Sequence, residues 1–218
     1  MAGDGKHENE SIWDSAAPGW AKWESALMGA ATEATEQMLD AANVEMGMKV
    51  LDLACGAGSQ TIQAAKRVGP TGRVVANDIA KKMLTFAKSN AADAGLTNVE
   101  TLHGPAEDLS ESGLRVDAAT CRLGLMLFQS PQDALAAVRS VLVENGRLAV
   151  LVVASPQDNL LFSKTMMIAL KHAGKIPPPP GSPGLFALSD PARLENLFQA
   201  AGYIDTRVEQ VVARMSIA

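Results

Sequence analysis

The stretch from residue 48 to residue 78 constrains the fold more than any other. A short apolar run, Met48 to Ala54 (MKVLDLA), breaks into the glycine-rich Cys55-Gly56-Ala57-Gly58, and a helix-forming segment, SQTIQAAKR, follows. Arg73 to Asn77 (RVVAN) then reads as a second strand and ends directly on Asp78. Strand, tight loop, helix and strand make one βαβ unit. Its two strands must be parallel, and its crossover is right-handed almost without exception.

The rhythm continues along the chain. Ile79 to Asp93 predicts a helix closed by Gly95, Asn98 to Leu102 a third strand, and Val116 to Cys121 a fourth. Ser130-Pro131 opens another helix that runs to about Val143 before the Asn145-Gly146 turn, and Arg147 to Ala154 is the most apolar strand. The expectation is an α/β fold: a doubly wound, Rossmann-like, mostly parallel sheet flanked by helices. A chain of 218 residues fits one domain. Residues 1–47 read as an N-terminal helical segment covering the site, frayed over residues 1–11 and punctuated by Pro18-Gly19. Residues 48–218 form the binding domain, with a lid-like insertion at about 155–188, where five of the eleven prolines fall between residues 177 and 183. Asp190-Pro191 starts a last helix ending near Gly202, and Tyr203 to Met215 alternates in the manner of a sixth strand.

Composition narrows the function classes. With 47% hydrophobic and 20% charged residues the chain is an ordinary globular one. Its net charge of −5, without a long run of Lys or Arg, argues against nucleic acid as a partner. Two cysteines are too few for a disulfide scaffold or a Cys-rich zinc site, and no metal is expected. The longest apolar run, Leu148 to Ala154, is far short of the roughly 20 residues a membrane helix needs. The polar, acidic MAGDGKHENES start is the opposite of a secretory signal, so a cytoplasmic location is expected.

In an open α/β sheet, ligands bind beyond the carboxyl ends of the strands, where the strand order reverses. The loop after the first strand sits at that place, and two cofactor classes use such loops. A dinucleotide site wants G-x-G-x-x-G, whereas this chain reads Gly56-Ala57-Gly58-Ser59-Gln60-Thr61 and lacks the third small residue. The acid Asp52 also sits poorly beside a pyrophosphate. It suits S-adenosylmethionine (SAM), which carries an ammonium and a sulfonium, with a helix N-terminus left to take the cofactor's carboxylate. Asp78, 22 residues after Gly56, is placed to accept both ribose hydroxyls of a nucleoside, a feature common to NAD and SAM.

Four segments in series, VLDLACGAGSQT, VVANDIAKKML, GPAEDL and RLGLMLFQSPQDALAAVRSVLVENGRLAV, resemble the class I SAM-dependent methyltransferases, within them the ubiquinone/menaquinone-biosynthesis-like (methyltransferase type 11) group. The resemblance covers roughly residues 48 to 154. It implies that Asp52, Ala54, Gly56 and Gly58 shape the methionine end of a SAM site, with Ala54 standing where the family usually has a glycine. It implies that Asp78 holds the ribose, that Ile79 and Met83 pack against the adenine, and that Cys121 and Arg122 lie beside the methionine moiety. Pro105 stands where the family often has an acid, so Ala106, through its backbone, or Glu107 takes over the adenine amino group. The family fold also closes with a hairpin, and only Ser216, Ile217 and Ala218 follow the sixth-strand candidate. The last strand is therefore expected to be missing or supplied by a partner, and the open edge suggests a homodimer.

The remaining candidates are single residues. All three tryptophans fall within Trp13 to Trp23, as core packing or as a flap, with Trp20 the expected cofactor contact. His103 ends the third strand and is the histidine nearest the site, a candidate base or simply a loop residue. The acceptor is expected to be a small, partly apolar molecule held between the tryptophan segment and residues 155–188, where Leu160, Leu161, Phe162, Met166, Leu185 and Phe186 supply apolar surface. The function expected is methyl transfer from SAM to such an acceptor, leaving S-adenosylhomocysteine. The alternatives are a SAM-binding regulator or inactive truncated relative, and an NAD(P)-dependent oxidoreductase.

Overall fold

The computed structural model describes residues 3–177, 179 and 181–213. Five parallel strands, β1 (Lys49–Leu53), β2 (Arg73–Asp78), β3 (Val99–His103), β4 (Val116–Arg122) and β5 (Leu142–Leu151), lie in the order β3-β2-β1-β4-β5. The order reverses at β1. Leu53 therefore ends level with Asn77 on one side and Cys121 on the other, and Asp78 ends level with His103. Seven helices surround the sheet among the described residues: α1 (Gly3–Met28), α2 (Thr32–Ala41), α3 (Ser59–Val68), α4 (Lys81–Asp93), α5 (Pro131–Val141), α6 (Leu160–His172) and α7 (Pro191–Ala200).

Successive residues of the central strands face opposite layers, as the period of two requires. Val50, Val74 and Ala118 pack with Met38 and Leu39 of α2 and with Ala64, Ala65 and Val68 of α3. Their neighbours Leu51, Val75 and Ala119 pack with Leu135, Val138 and Val141 of α5 and Leu194 of α7. Because both faces are covered, β1 is buried along almost its whole length, and its sequence is a continuous apolar run rather than an alternating one.

Four expectations need correction. Residues 3–11 are helical rather than frayed, and α1 runs through Pro18-Gly19 without stopping there. A proline inside a helix costs about 3 kcal/mol in its missing hydrogen bond and ring clash. Tertiary contact outweighs this: Ala17 is buried with Ala80 and Met83, Trp13 and Trp20 pack alongside, and the Asp14 carboxylate accepts the Lys82 N–H at 2.9 Å. Asn145-Gly146 does not separate α5 from the last strand but lies within an irregularity of β5, where Val116 pairs with Leu142 and Ala118 with Arg147. Asn145 there takes a φ of +61°, a conformation asparagine tolerates.

Residues 203–213 form no strand. Their alternation is real, but a strand exists only where a neighbour accepts its ladder of hydrogen bonds, and β5 forms the edge of the sheet among the described residues. Only Tyr203 is held, through its hydroxyl donating to Leu135 O at 3.0 Å and its ring against Phe198. The rest of the sixth-strand expectation, residues 214 and 215, lies outside the described residues, as do residues 216–218.

The two loops at the reversal point lock together. Ala54 has a φ of +49° and Leu123 a φ of +60°, both in the left-handed region that costs an ordinary residue roughly 1–2 kcal/mol. A Cβ on Gly124 would lie 2.5 Å from the Ala54 Cβ and 3.0 Å from Cys121 Sγ. The methyl group of Ala54 thus fills space that Gly124 leaves open. We expect Gly124→Ala to lower the thermal midpoint by several degrees, and Ala54→Gly in the same chain to restore part of the loss. Double-mutant melting curves read this directly; simple additivity of the two changes would contradict the packing described.

Candidate functional site

Above the carboxyl ends of β1, β2 and β4 lies a cavity of about 510 Å³. Its walls come from α1 (Asn9, Trp13, Trp20, Glu24), the β1 loop (Ala54, Cys55, Gly56) and the end of β2 (Asp78, Ile79). The β3 loop (Pro105, Ala106, Glu107), Arg122 at the end of β4 and the segment after it (Leu123, Gly124, Leu127 to Ser130) line it further.

Asp78 organises the middle of the cavity. One carboxylate oxygen accepts the Gly56 N–H at 3.0 Å and the other the Ala80 N–H at 2.9 Å. Burial outweighs these two bonds and pushes its carboxyl up to about 6. A carboxylate has about four acceptor positions, so two remain for a diol. Gly56 takes a φ of +57°, and a Cβ there would meet Trp20 Nε1 at 3.1 Å. Only glycine lets α1 come this close.

Neighbouring amides fix the loops. Asn77 donates to Leu102 O and Gly104 O, both at 3.0 Å, and so ties the β3 loop to β2. Asn90 of α4 donates to Ala57 O at 2.9 Å. The turn from Gly56 to Gly58 is thus held from both sides.

At the far end of the cavity Arg122 and Glu24 lie on the wall, each only 7% exposed. Arg122 donates to Thr35 Oγ1 at 2.9 Å and to Ser59 Oγ. Glu24 stands beside Ser59, the first residue of α3, and Trp20, whose polar groups draw its carboxyl down. Its carboxyl is raised above the ordinary range by burial, with Arg122 pulling the other way. A carboxylate of the protein itself thus stands close to the N-terminus of α3.

Nine of the residues singled out from the sequence line the cavity: Trp20, Ala54, Gly56, Asp78, Ile79, Met83, Ala106, Glu107 and Arg122. Four stand off it. Asp52 is fully buried and accepts from Gln60 Nε2, from Thr61 Oγ1 at 2.5 Å and from Thr120 Oγ1 at 3.4 Å. Burial nevertheless pushes its carboxyl up to about 7. Asp52 thus pins the first turn of α3 to β1 and β4 instead of facing a ligand.

Gly58 caps α3 at a φ of +96°, and a Cβ there would strike Ala87 Cα at 2.9 Å, so it serves helix packing. Cys121 is buried in the core, its thiol pushed up to about 12 by desolvation. His103 Nε2 lies 2.9 Å from Ile79 O and 3.1 Å from Glu10 Oε1, which makes it a strut between α1 and the β2 end. The acceptor wall also differs from expectation. Leu160, Leu161 and Phe162 lie exposed on α6, none of whose residues is buried, and Leu185 and Phe186 pack against the main core. Leu123, Leu127 and Phe128 supply the apolar wall instead.

Sequence reasoning missed Glu24, Gln60 and Asn77. Glu24 lies four residues after Trp20 in α1, so the i,i+4 spacing of Trp20 and Glu24 was the available signal.

Comparison with known proteins agrees with this geometry. Residues 44–202 match a family described as a methyltransferase domain. The chain belongs to that family. Among curated relatives, the ubiquinone/menaquinone biosynthesis C-methyltransferase UbiE of Pseudomonas fluorescens is 37% identical over 127 residues, 58% of this chain and 49% of that protein. The same enzyme of Stutzerimonas stutzeri is 39% identical over 119 residues, 54% of this chain and 46% of that protein. The chain thus spans about half the length of the curated relatives it matches. A proposed O-methyltransferase from Nostoc punctiforme shares the fold with a TM-score of 0.62 at 21% identity, covering 85% of this chain and 55% of that one.

The family, the class I SAM-dependent methyltransferases, uses SAM as its cofactor, and the donor set fits that molecule. Asp78 offers acceptors for a ribose diol, Met83 and Ile79 an apolar shelf, and Glu24 and Arg122 opposite charges at the other end. Saturating S-adenosylhomocysteine, at 100 times its dissociation constant, should stabilise the chain by about 2.7 kcal/mol. Asp78→Ala should abolish the shift. Affinity should also fall as pH drops through about 6, because protonating Asp78 removes an acceptor for the diol, by at most about tenfold per pH unit. A thermal-shift titration repeated between pH 5 and pH 8 measures both; a shift indifferent to Asp78 and to pH would contradict the assignment.

Proposed function

We propose that the chain transfers a methyl group from SAM to a small, partly apolar acceptor seated against Leu123, Leu127 and Phe128. The observation that carries this proposal is the charge order along one continuous cavity: a carboxylate at Asp78 with acceptors to spare for a diol, then an acid and a base, Glu24 and Arg122, on the same wall. The Glu24 carboxylate at the N-terminus of α3 also favours SAM over a dinucleotide, since a pyrophosphate would need that position and be repelled from it.

SAM supplies an electrophilic methyl on a sulfonium that is already a good leaving group. The protein's work is alignment and exclusion of water. Asp78, with Gly56 and the β3 loop, fixes the nucleoside; Ala106 and Glu107 lie where the adenine edge would rest. Trp13 and Trp20, edge to face with centroids 6.3 Å apart, wall the cavity from the α1 side, which supports a covering role for that helix. His103 Nε2 is engaged by Ile79 O and Glu10, which supports a reading without it as a base. The Ser130 hydroxyl, on the cavity wall before α5, donates to Asp133 at 2.5 Å.

Incubation with methyl-labelled SAM and a small-molecule extract, followed by chromatography, tests the transfer. Label should appear in a low-molecular-weight product and vanish with Asp78→Ala. Label recovered only as SAM, from a protein that still binds S-adenosylhomocysteine, would make the chain a SAM-binding module instead.

We also propose that two copies associate through the outer edge of β5. Support comes from the edge position of β5 and from residues 203–213, whose alternating Ile204 and Val212 are 85% and 71% exposed. Exposed apolar residues beside an open edge favour pairing with another strand. Sedimentation equilibrium should return twice the chain mass at micromolar concentration; a monomer mass would contradict the pairing.

A further inference from the structure

Among the described residues, α6 is the one α-helix that buries none of its side chains, although most of its sequence is apolar. Its half-buried residues Ser163, Met166 and Leu170 fall at i, i+3 and i+7 and mark the face turned to the protein. The opposite face carries Leu161, Lys164, Ile168 and Lys171, with Ile168 69% exposed. An outward apolar surface of this kind marks a place where something else binds.

Charge says what binds there. From Asn159 to Ser189 the chain holds Lys164, Lys171, His172 and Lys175 and no Asp or Glu, in a protein whose net charge is −5. The nearest upstream acid, Asp158, accepts from the Ser155 hydroxyl at 2.7 Å. Gly174, at a φ of +63°, ends the helix, and the Lys175 N–H closes its last turn on Leu170 O at 2.9 Å. Ile176 follows, 87% exposed. Cations thus alternate with apolar side chains over one outward surface.

A second copy docked face to face would set these lysines against the same lysines. A folded acidic protein would need a groove shaped to the helix. An anionic bilayer meets both chemistries without a preformed fit: the aliphatic side chains enter the acyl boundary, and the lysine stems carry their ammonium groups to the headgroups. With 13 residues, α6 is shorter than the roughly 20 that cross a bilayer, so it lies along the surface. It follows the carboxyl end of β5, the end of the sheet at which the cavity lies. The chain beyond it returns there, where the Gly184 N–H donates to Met126 O at 2.9 Å, next to Leu127 of the cavity wall.

We propose that α6, with Lys175 and Ile176, is a peripheral docking surface for an anionic membrane. Leu161 and Ile168 sit in the interface, and Lys164 and Lys171 meet the anionic headgroups. The docking is separate from methyl transfer and stands whether or not the SAM reading holds.

Co-sedimentation of the full chain with vesicles tests it, using phosphatidylcholine alone and an equal mixture with phosphatidylglycerol. At low salt the mixed vesicles should bind the chain at least about tenfold more strongly. Lys164→Glu combined with Lys171→Glu should remove at least about tenfold of that binding, and Leu161→Ser combined with Ile168→Ser a similar amount. Both double variants should keep the wild-type melting temperature, because all four side chains are exposed. A wild-type chain that ignores the mixed vesicles, or binds both kinds equally, would overturn the proposal, and that comparison needs no variant to fold. So would binding that survives Leu161→Ser with Ile168→Ser and is matched by soluble polyglutamate, which would assign the face to an acidic protein. Loss of self-association in that same variant, with vesicle binding intact, would assign it to a second copy.

Discussion

The hydrogen bond from the Gly56 amide to the Asp78 carboxylate is the contact on which the site depends. It crosses from the loop after β1 to the end of β2 and sets how far the glycine turn stands from the sheet. Once that distance is set, Gly56 presents no side chain to α1, Trp20 can approach, and Glu24 four residues later reaches the start of α3. The sheet supplies the frame for this contact. A strand order that reverses at β1 leaves a crevice above it, and both faces of the sheet are too well packed to let the crevice close.

Two buried acids on adjacent strands show how position decides role. Asp52 and Asp78 are both raised by burial, to about 7 and about 6. Asp52 is surrounded by side-chain donors from α3 and β4 and faces away from the cavity. Asp78 takes only backbone N–H groups and keeps its outer face on the cavity wall. One acid therefore fastens the loop, and the other is left to meet a ligand. Counting acids near a glycine motif could not have told them apart.

What was legible in the sequence follows from local rules. Period-two and continuous apolar runs located all five strands, and Gly56, Gly58 and Asp78 marked the loop and the acid that ends β2 on the cavity wall. What stayed hidden depends on partners distant in sequence. Pro18 read as a break because its local cost is plain, whereas the burial of Ala17 against Ala80 and Met83 that outweighs it spans more than sixty residues. Tyr203 onward read as a strand because alternation says nothing about whether the segment is laid against an edge to pair with. His103 and Cys121 carried chemical alternatives by residue type, and their contacts with Ile79, Glu10 and the core give each a structural place.

The most direct measurement is a crystal structure of the chain with S-adenosylhomocysteine. The account places the ribose hydroxyls on Asp78, the adenine against Met83 and Ile79, and the amino-acid end between Glu24 and Arg122. A ligand bound in the reverse direction, or away from Asp78, would contradict it.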